Sequence, residues 1–199
     1  MMSKKKVSIS TGAIVMAAVV YYICDSKTLT AVLCAAFAHE LGHLAAMWAL
    51  GFRVKRFRIE AKGFCIDYCG YAGAVGHAFA AAAGPTFGLL YSLVASDLGN
   101  RTGMDWLSLS SGVSFMLSLF NLLPALPLDG GRILMCLCCA FCGEQQGRVV
   151  CSAVSTVCGL LILGLGTVLM FKGLGAAVLI SAIWLLAFQE GVEKRCEIL

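Results

Sequence analysis

Three side chains within the sequence HELGH have the types and the spacing of a zinc site. His39 and His43 are four residues apart, and Glu40 follows the first of them. On an α-helix, residues four apart lie about 40° apart around the axis, one turn along it, so both imidazoles face the same point. Two imidazole nitrogens can then bind one zinc ion, and the neighbouring glutamate can reach a water molecule on that ion. The pattern predicts metal-assisted hydrolysis with Glu40 as the catalytic general base.

The residues on both sides of this motif are typical of a membrane-spanning helix. HELGH lies between AVLCAAFA and LAAMWAL, and the chain of 199 residues is 60% hydrophobic and 13% charged. Soluble domains carry about 25% charged residues, so the composition indicates an integral membrane protein. A charged side chain at mid-bilayer costs roughly 2.5 kcal/mol or more. Because of this cost, a bound metal ion explains three ionisable groups within five residues better than packing between helices does.

Hydropathy predicts an all-α fold with six membrane spans. Each span has about 17 to 25 residues, enough to cross roughly 30 Å of hydrocarbon. The predicted spans cover residues 8–24, 28–50, 77–96, 105–127, 149–171 and 173–190. Twelve of the fifteen Lys and Arg residues then fall on the side that holds both termini, which the positive-inside rule places in the cytosol. We expect a single multi-pass domain over residues 1–199 in the cell membrane.

A polar segment separates the second span from the third. In residues 64–69, aromatic or branched side chains alternate with cysteine and aspartate, a period of two that is typical of a strand. The stretch 61–63 can turn the chain back on itself, so we predict a small cytosolic β-hairpin over residues 52–69. Two roles are open for it: an edge strand that pairs with an extended substrate, or a basic loop that binds anionic lipid.

A break in a long apolar region indicates a further polar site. Residues 106–142 are mostly apolar, and as one straight helix they would measure about 55 Å, longer than any bilayer. Pro124, Pro127 and the Gly130-Gly131 pair supply a break. Irregular backbone at membrane depth is tolerated only inside protein or beside a wet cavity, so Asp129 lies where a polar cavity is required. The alternative is a turn at the cytosolic surface with a solvated Asp129.

Three segments together resemble the site-2 protease family of intramembrane zinc metalloproteases. They are HELGH in the second span, AAAGPTFG in the third and NLLPALPLDGGR after the fourth. In organisation the chain is most similar to the bacterial sporulation-type branch, which is exemplified by stage IV sporulation protein FB. We expect it to differ from many members of that branch in having no CBS domain, and a role in sporulation rests on the resemblance alone.

Several roles are implied by the resemblance. It implies that Asp129 is the third zinc ligand, that Asn121 lies near the active site, where it would bind the oxyanion or the substrate backbone, and that Gly84-Pro85 is a family motif. It also implies one zinc ion per chain and a membrane-protein substrate cleaved in regulated intramembrane proteolysis. We expect the lipid bilayer around the protein and no nucleic acid, and we leave a regulatory membrane partner open.

Two other functions are alternatives to the protease. A divalent-metal transporter needs several ligand sites along a route, whereas this sequence has one compact cluster and Asp129. A non-catalytic protein that binds membrane segments would be indicated by the loss of Glu40 or Asp129, and both are present. The cysteines of CLCCAFC, residues 136–142, are interpreted as apolar packing residues. We expect Arg132 to reach phosphate groups or helix-end carbonyls.

Overall fold

A computed structural model describes residues 7–9, 21–22, 25–60, 63–69, 73–173 and 177–196 of the chain. In chain order the elements are strand β1 (Val7–Ile9), helix α1 (Ser26–Ala49), strands β2 (Arg53–Glu60) and β3 (Gly63–Cys69), and helices α2 (Gly73–Thr102), α3 (Asp105–Asn121), α4 (Asp129–Cys142), α5 (Glu144–Phe171) and α6 (Ala177–Cys196). Tyr21 and Tyr22 are also helical.

The chain divides into two compact units. The first contains residues 1–72 and 83–118, and the second contains residues 73–82 and 119–199. The first unit therefore holds the sheet, α1, most of α2 and α3 as far as Ser118. The second holds the first turns of α2, the end of α3 and helices α4 to α6.

Within the described part of the chain, three helices are long and apolar enough to cross a membrane. They are α1, α2 and α5, and they match the predicted spans 28–50, 77–96 and 149–171. Helix α3 has 17 residues, and the apolar segment found among the described residues of α6 is Val178–Ala187. Length and composition of the described helices therefore support a membrane protein, in which three of the six predicted spans correspond to such helices.

Two predicted span boundaries are wrong. The span predicted over 105–127 ends as a helix at Asn121, because the prolines at 124 and 127 lack a backbone N–H and disfavour helical geometry in the residues before them. The span predicted from residue 8 begins inside β1. Apart from residues 8–9 and 21–22, that predicted span lies outside the described residues.

The strands form one three-stranded sheet in the order β1-β2-β3. Strands β2 and β3 pair antiparallel from Arg53 opposite Cys69 to Glu60 opposite Gly63, with an irregularity between Val54 and Arg56. Strand β1 pairs parallel with β2, where Val7 lies opposite Phe57. The segment predicted as a hairpin thus contains two paired strands, and the addition of a third strand from the start of the chain was not predicted.

Small residues line the buried face of α1. Its buried positions include Ala31, Ala35, His39, Gly42 and Ala46, which we call the α1 stripe. Their spacing of three and four residues places them on one side of the helix. Small side chains let a neighbouring helix approach closely in a membrane, so His39 lies in the stripe along which α1 packs.

Serines line the buried face of α3. Ser110, Ser111, Ser114 and Ser118 are all buried, and we call them the serine seam. Three of their hydroxyls donate to backbone carbonyls, Ser110 to Ala31 at 3.1 Å, Ser111 to Ser92 at 2.7 Å and Ser114 to Gly88 at 2.8 Å. These bonds tie α3 to α1 and α2 in the first unit.

The second unit packs the segment between α3 and α4 against α5. The backbone N–H of Leu126 donates to Ser155 Oγ at 3.1 Å, and the thiol of Cys151 donates to the Gly131 carbonyl at 3.5 Å. Leu126, Met135 and Cys151 form a buried apolar cluster. The non-helical segment before Asp129 is therefore held by hydrogen bonds and by apolar packing.

Candidate metal centre

Helix α1 brings two imidazoles to one point. The Nε2 atoms of His39 and His43 lie 3.2 Å apart. The rings are edge to face, with centroids 4.9 Å apart and an interplanar angle of 80°. His39 is buried, with 5% of its surface exposed, and His43 is half-buried. The helical spacing predicts that the two rings face the same point. In the structure their Nε2 atoms are directed at each other.

The separation of these nitrogens fits one zinc ion. Zinc–nitrogen bonds of about 2.0–2.1 Å at tetrahedral angles place two ligand nitrogens about 3.3 Å apart, close to the 3.2 Å observed. A hydrogen bond between the two rings has the same length. A further ligand group near both nitrogens is therefore what distinguishes a metal site from a simple histidine pair.

Asp129 supplies that further group. Each of His39, His43 and Asp129 offers one ligand atom, and the three atoms lie within 4.8 Å of one another. Asp129 is 5% exposed, and a buried carboxylate is costly unless it is paired or binds a metal. Two imidazoles and one carboxylate are a donor set that catalytic zinc sites use, with one position left for water. The residues present therefore fit a zinc ion.

The match to known proteins agrees with this donor set. Residues 100–165 match the model of peptidase family M50. The fold matches the site-2 protease from Methanocaldococcus jannaschii with a TM-score of 0.72 at 18% identity, over 96% of this chain and 93% of that chain. The chain is 31% identical over 167 residues to sll0528 of Synechocystis sp., which carries the name of a zinc metalloprotease, over 79% of this chain and 44% of the relative.

The sequence matches cover only part of each named relative. A second protein with the name of a zinc metalloprotease, Rip3 of Mycobacterium tuberculosis, is 29% identical over 182 residues, which cover 84% of this chain and 44% of Rip3. The chain thus spans less than half of the length of these two relatives. The structural match shows a shared fold, and both relatives matched in sequence carry the name of a zinc metalloprotease.

Two glycines fix the place where Asp129 begins helix α4. A Cβ atom at Gly130 would collide with the carbonyl oxygen of Leu122, and one at Gly131 would lie 2.5 Å from the carbonyl carbon of Ala125. Real side chains do not reach such distances. The segment before Asp129 therefore folds back tightly on the first turn of α4. This is the place where the prolines and glycines of the apolar region predict a break.

Arg132 contacts the candidate ligand Asp129. Its Nη1 lies 3.7 Å from Asp129 Oδ1, and the arginine side chain is 52% exposed. The sequence-based expectation that Arg132 reaches phosphates or helix-end carbonyls did not include this pair. The spacing of three residues on one helix was the available signal, because side chains at that spacing are neighbours.

The structure shows where Glu40 and Asn121 lie. It does not test the roles predicted for them. Glu40 follows His39 on α1 and is half-buried. It is turned by about 100° from His39 around the helix axis. Asn121 is the last residue of α3 and is also half-buried. The general base and the substrate-binding side chain remain predictions for these two residues.

One residue beside the metal ligands has a position that sequence alone did not give. Gly84 lies directly against the imidazole of His43. The sequence marks Gly84-Pro85 as part of a run of small residues and of a resembling motif, and these patterns do not indicate a contact with His43. Which side chain such a glycine faces depends on the neighbouring helix, and no local pattern contains that information.

Proposed function

We propose that this protein is an intramembrane zinc metalloprotease that hydrolyses a peptide bond of a transmembrane or membrane-associated protein. The observation that carries the proposal is the convergence of ligand atoms from His39, His43 and Asp129 within 4.8 Å. Helix α1, which bears both histidines, is apolar and long enough to cross a membrane. The similarity to the site-2 protease (M50) family supports the same activity.

The proposed chemistry assigns one task to each side chain. His39, His43 and Asp129 would hold one zinc ion, which when bound lowers the pKa of a water molecule to about 7 and polarises a carbonyl. Glu40 accepts the proton of the attacking water and passes it to the leaving amine. Asn121 donates a hydrogen bond to the developing oxyanion or to the substrate backbone.

The finer topology is part of the proposal. We place six spans in one metalloprotease domain, with both termini and the three-stranded sheet in the cytosol. The distribution of Lys and Arg along the sequence supports this orientation. A helical substrate has its carbonyls in intrahelical hydrogen bonds, so it must unwind locally before attack. Strand β3, at one edge of the sheet order, offers backbone groups that can pair with the unwound segment.

The transporter alternative gains no support from the distribution of ligands. A transport route needs several ligand sites in succession. Among the residues that the structure describes, His39, His43 and Asp129 are the group of three or more potential ligands that can hold an ion. A single group with an adjacent glutamate suits hydrolysis better than transport.

The test separates catalysis from metal binding. Glu40→Gln keeps the shape of the side chain and removes the base, so we expect cleavage of a membrane substrate to be abolished while the zinc content stays near that of the wild type. The substrate can be found by crosslinking to this trapped variant. Glu144→Gln is the matched control, since Glu144 is 73% exposed and pairs with Arg148 at 2.6 Å on α5. Cleavage by Glu40→Gln at the wild-type rate would overturn the proposed mechanism.

A further inference from the structure

Gly84 of helix α2 lies where the imidazole of His43 leaves room for a hydrogen atom only. A Cβ atom built at Gly84 would meet three atoms of the His43 ring, with Nε2 the nearest, Cε1 at 2.5 Å and Cδ2 at 2.7 Å. Distances below 3.0 Å are essentially never seen for real Cβ atoms. Any residue larger than glycine at this position must therefore displace the ring.

We infer that Gly84 is a positioning residue that sets the orientation of the His43 imidazole toward the metal. This inference rests on the proposed zinc site. An imidazole has two side-chain torsions, and only some of their combinations direct Nε2 at the Nε2 of His39. The backbone of α2 at Gly84 is a wall on one side of the ring. It restricts the ring to orientations near the observed one, in which the two nitrogens are 3.2 Å apart.

The wall is held in place by a second close approach of the same two helices. A Cβ atom at Gly42 would lie 2.5 Å from the Ala83 carbonyl oxygen and 2.7 Å from Phe87 Cβ. Gly42 precedes His43, and Ala83 precedes Gly84, so each helix presents a glycine to the other over adjacent residues. The distance between the two backbones is thereby fixed within one turn of the metal ligand.

The residue after Gly84 restricts one backbone torsion in this part of α2. Pro85 lies inside α2 and is fully buried. Its ring fixes the backbone torsion φ near −65°, within about 15°. One torsion of the stretch of α2 that faces His43 is therefore fixed, while the missing N–H of Pro85 removes one hydrogen bond within the helix.

Orientation of a ligand ring matters because metal affinity depends on it. Residues that orient a ligating histidine commonly do so through a hydrogen bond to the other ring nitrogen, and their loss lowers metal affinity roughly 10- to 100-fold. Here the close approach of the Gly84 backbone, which leaves no room for a Cβ atom, supplies a constraint on the same ring. We expect an effect of the same size when that contact becomes a collision.

A general packing role for Gly84 makes a different prediction. If the glycine only lets helices approach, as small residues do in membranes, its substitution destabilises the protein whether or not residue 43 carries an imidazole. If the glycine positions the ring, the penalty disappears when the ring is removed. The two cases separate in a double-mutant cycle between positions 84 and 43.

The cycle is measured on full-length, metal-free protein in detergent. Gly84→Ala is expected to lower the unfolding midpoint by roughly 2 to 12 °C in the wild-type background and to leave it unchanged in the His43→Ala background. Gly42→Ala is the matched control and should lower the midpoint equally in both, because its collision partners are unaffected by His43→Ala. Gly112→Ala, with nothing within 4 Å of its Cβ position, should leave both midpoints unchanged.

Metal binding supplies the second readout. Zinc affinity of Gly84→Ala should fall roughly 10- to 100-fold, and the visible spectrum of its cobalt-substituted form should change, whereas Gly112→Ala should match the wild type in both. An equal midpoint loss in both backgrounds, or unchanged zinc affinity and cobalt spectrum, would overturn the inference. If Gly84→Ala does not accumulate, accumulation of the double variant with His43→Ala supports the inference, and its failure to accumulate overturns it. A wild-type protein that binds no zinc would refute the proposed function, and the midpoint cycle would still report on the contact.

Discussion

Helices α1 and α3 each bury polar side chains at helical spacing, and they differ in where the polar atoms point. In the serine seam of α3, three hydroxyls donate to carbonyls of neighbouring helices at 2.7–3.1 Å. On α1, the Nε2 atoms of His39 and His43 point at each other across 3.2 Å. Three of the four seam serines each bond to a separate backbone carbonyl, whereas the histidines share a single point with Asp129.

The comparison shows how a functional site differs from other buried polar side chains. Polar residues in a membrane helix are often hydrogen-bonding groups that associate helices, and the serine seam meets that description. Ligand atoms from separate segments that converge on one point have no such structural use. Convergence, rather than burial or helical spacing, therefore separates the candidate metal centre from the seam.

The largest expected effect is on the zinc affinity of the protein, which should depend on the histidines of α1 and not on the serines of α3. His39→Ala removes one of two nitrogen ligands, so zinc affinity should fall by at least about 100-fold and cleavage should be lost with it. Zinc titration of purified protein measures this. Ser114→Ala on α3, also a buried polar residue, should keep the wild-type affinity, and a comparable loss there would break the distinction between the helices.

A smaller effect is expected on the free energy of unfolding, to which the serine seam contributes. Ser114→Ala deletes the hydroxyl that donates to the Gly88 carbonyl at 2.8 Å. Interhelical hydrogen bonds of this kind contribute on average about 0.6 kcal/mol in membrane proteins, so the free energy of unfolding should fall by about that amount while cleavage persists. Loss of cleavage without loss of stability would mean that the seam takes part in the chemistry.

Within the seam, Ser118 should behave differently from Ser114. Its side chain is fully buried, and among the described residues its Oγ has no hydrogen-bond partner. A buried hydroxyl without a partner is unfavourable by roughly 1–3 kcal/mol, so Ser118→Ala should leave the free energy of unfolding unchanged or raise it by up to about 1 kcal/mol. Measured side by side, a greater loss for Ser118→Ala than for Ser114→Ala would contradict the hydrogen-bond assignment of the seam.

The smallest effect concerns the start of α1. Asp25 caps this helix, and the hydroxyl of Thr28 donates to Asp25 Oδ1 at 2.5 Å. This bond is the main cause of a lowered pKa for the exposed Asp25 carboxyl, and backbone N–H bonds add to it. Since the folded pKa is below the ordinary value of 3.8, the cap stabilises fully above 3.8 and loses its contribution as the pH falls through the folded pKa. The difference in unfolding midpoint between wild type and Asp25→Ala should follow that course, and a difference independent of pH would show that the carboxylate charge is not involved.

The features that sequence predicts here are local ones. His39 and His43 face one point because the helix itself brings positions four apart together, and no other element is needed. The break before Asp129 is also local, since prolines and glycines interrupt an apolar region too long for one helix. The role of Asp129 as a ligand came from the resemblance to a family, because the sequence alone left a solvated Asp129 open.

The features that sequence missed depend on distant partners or on hydrogen bonding. Hydropathy extended the fourth span to residue 127 because residues 122–128 are apolar, but hydropathy measures transfer to lipid and not helix formation, and α3 ends at Asn121. Strand β1 has three residues and pairs with residues about fifty positions away, so no local pattern reveals it. The contact of Gly84 with His43 likewise depends on which helix packs beside α1.

Zinc content of Asp129→Ala tests the central claim most directly. The account predicts that wild-type protein binds zinc and that Asp129→Ala binds it at least about 100-fold more weakly. Asp97→Ala is the matched control and should bind as the wild type does, since Asp97 is an exposed acid paired with Arg101 at 2.9 Å on α2. Wild-type zinc affinity in Asp129→Ala would show that the carboxylate does not complete the site, and would contradict the account.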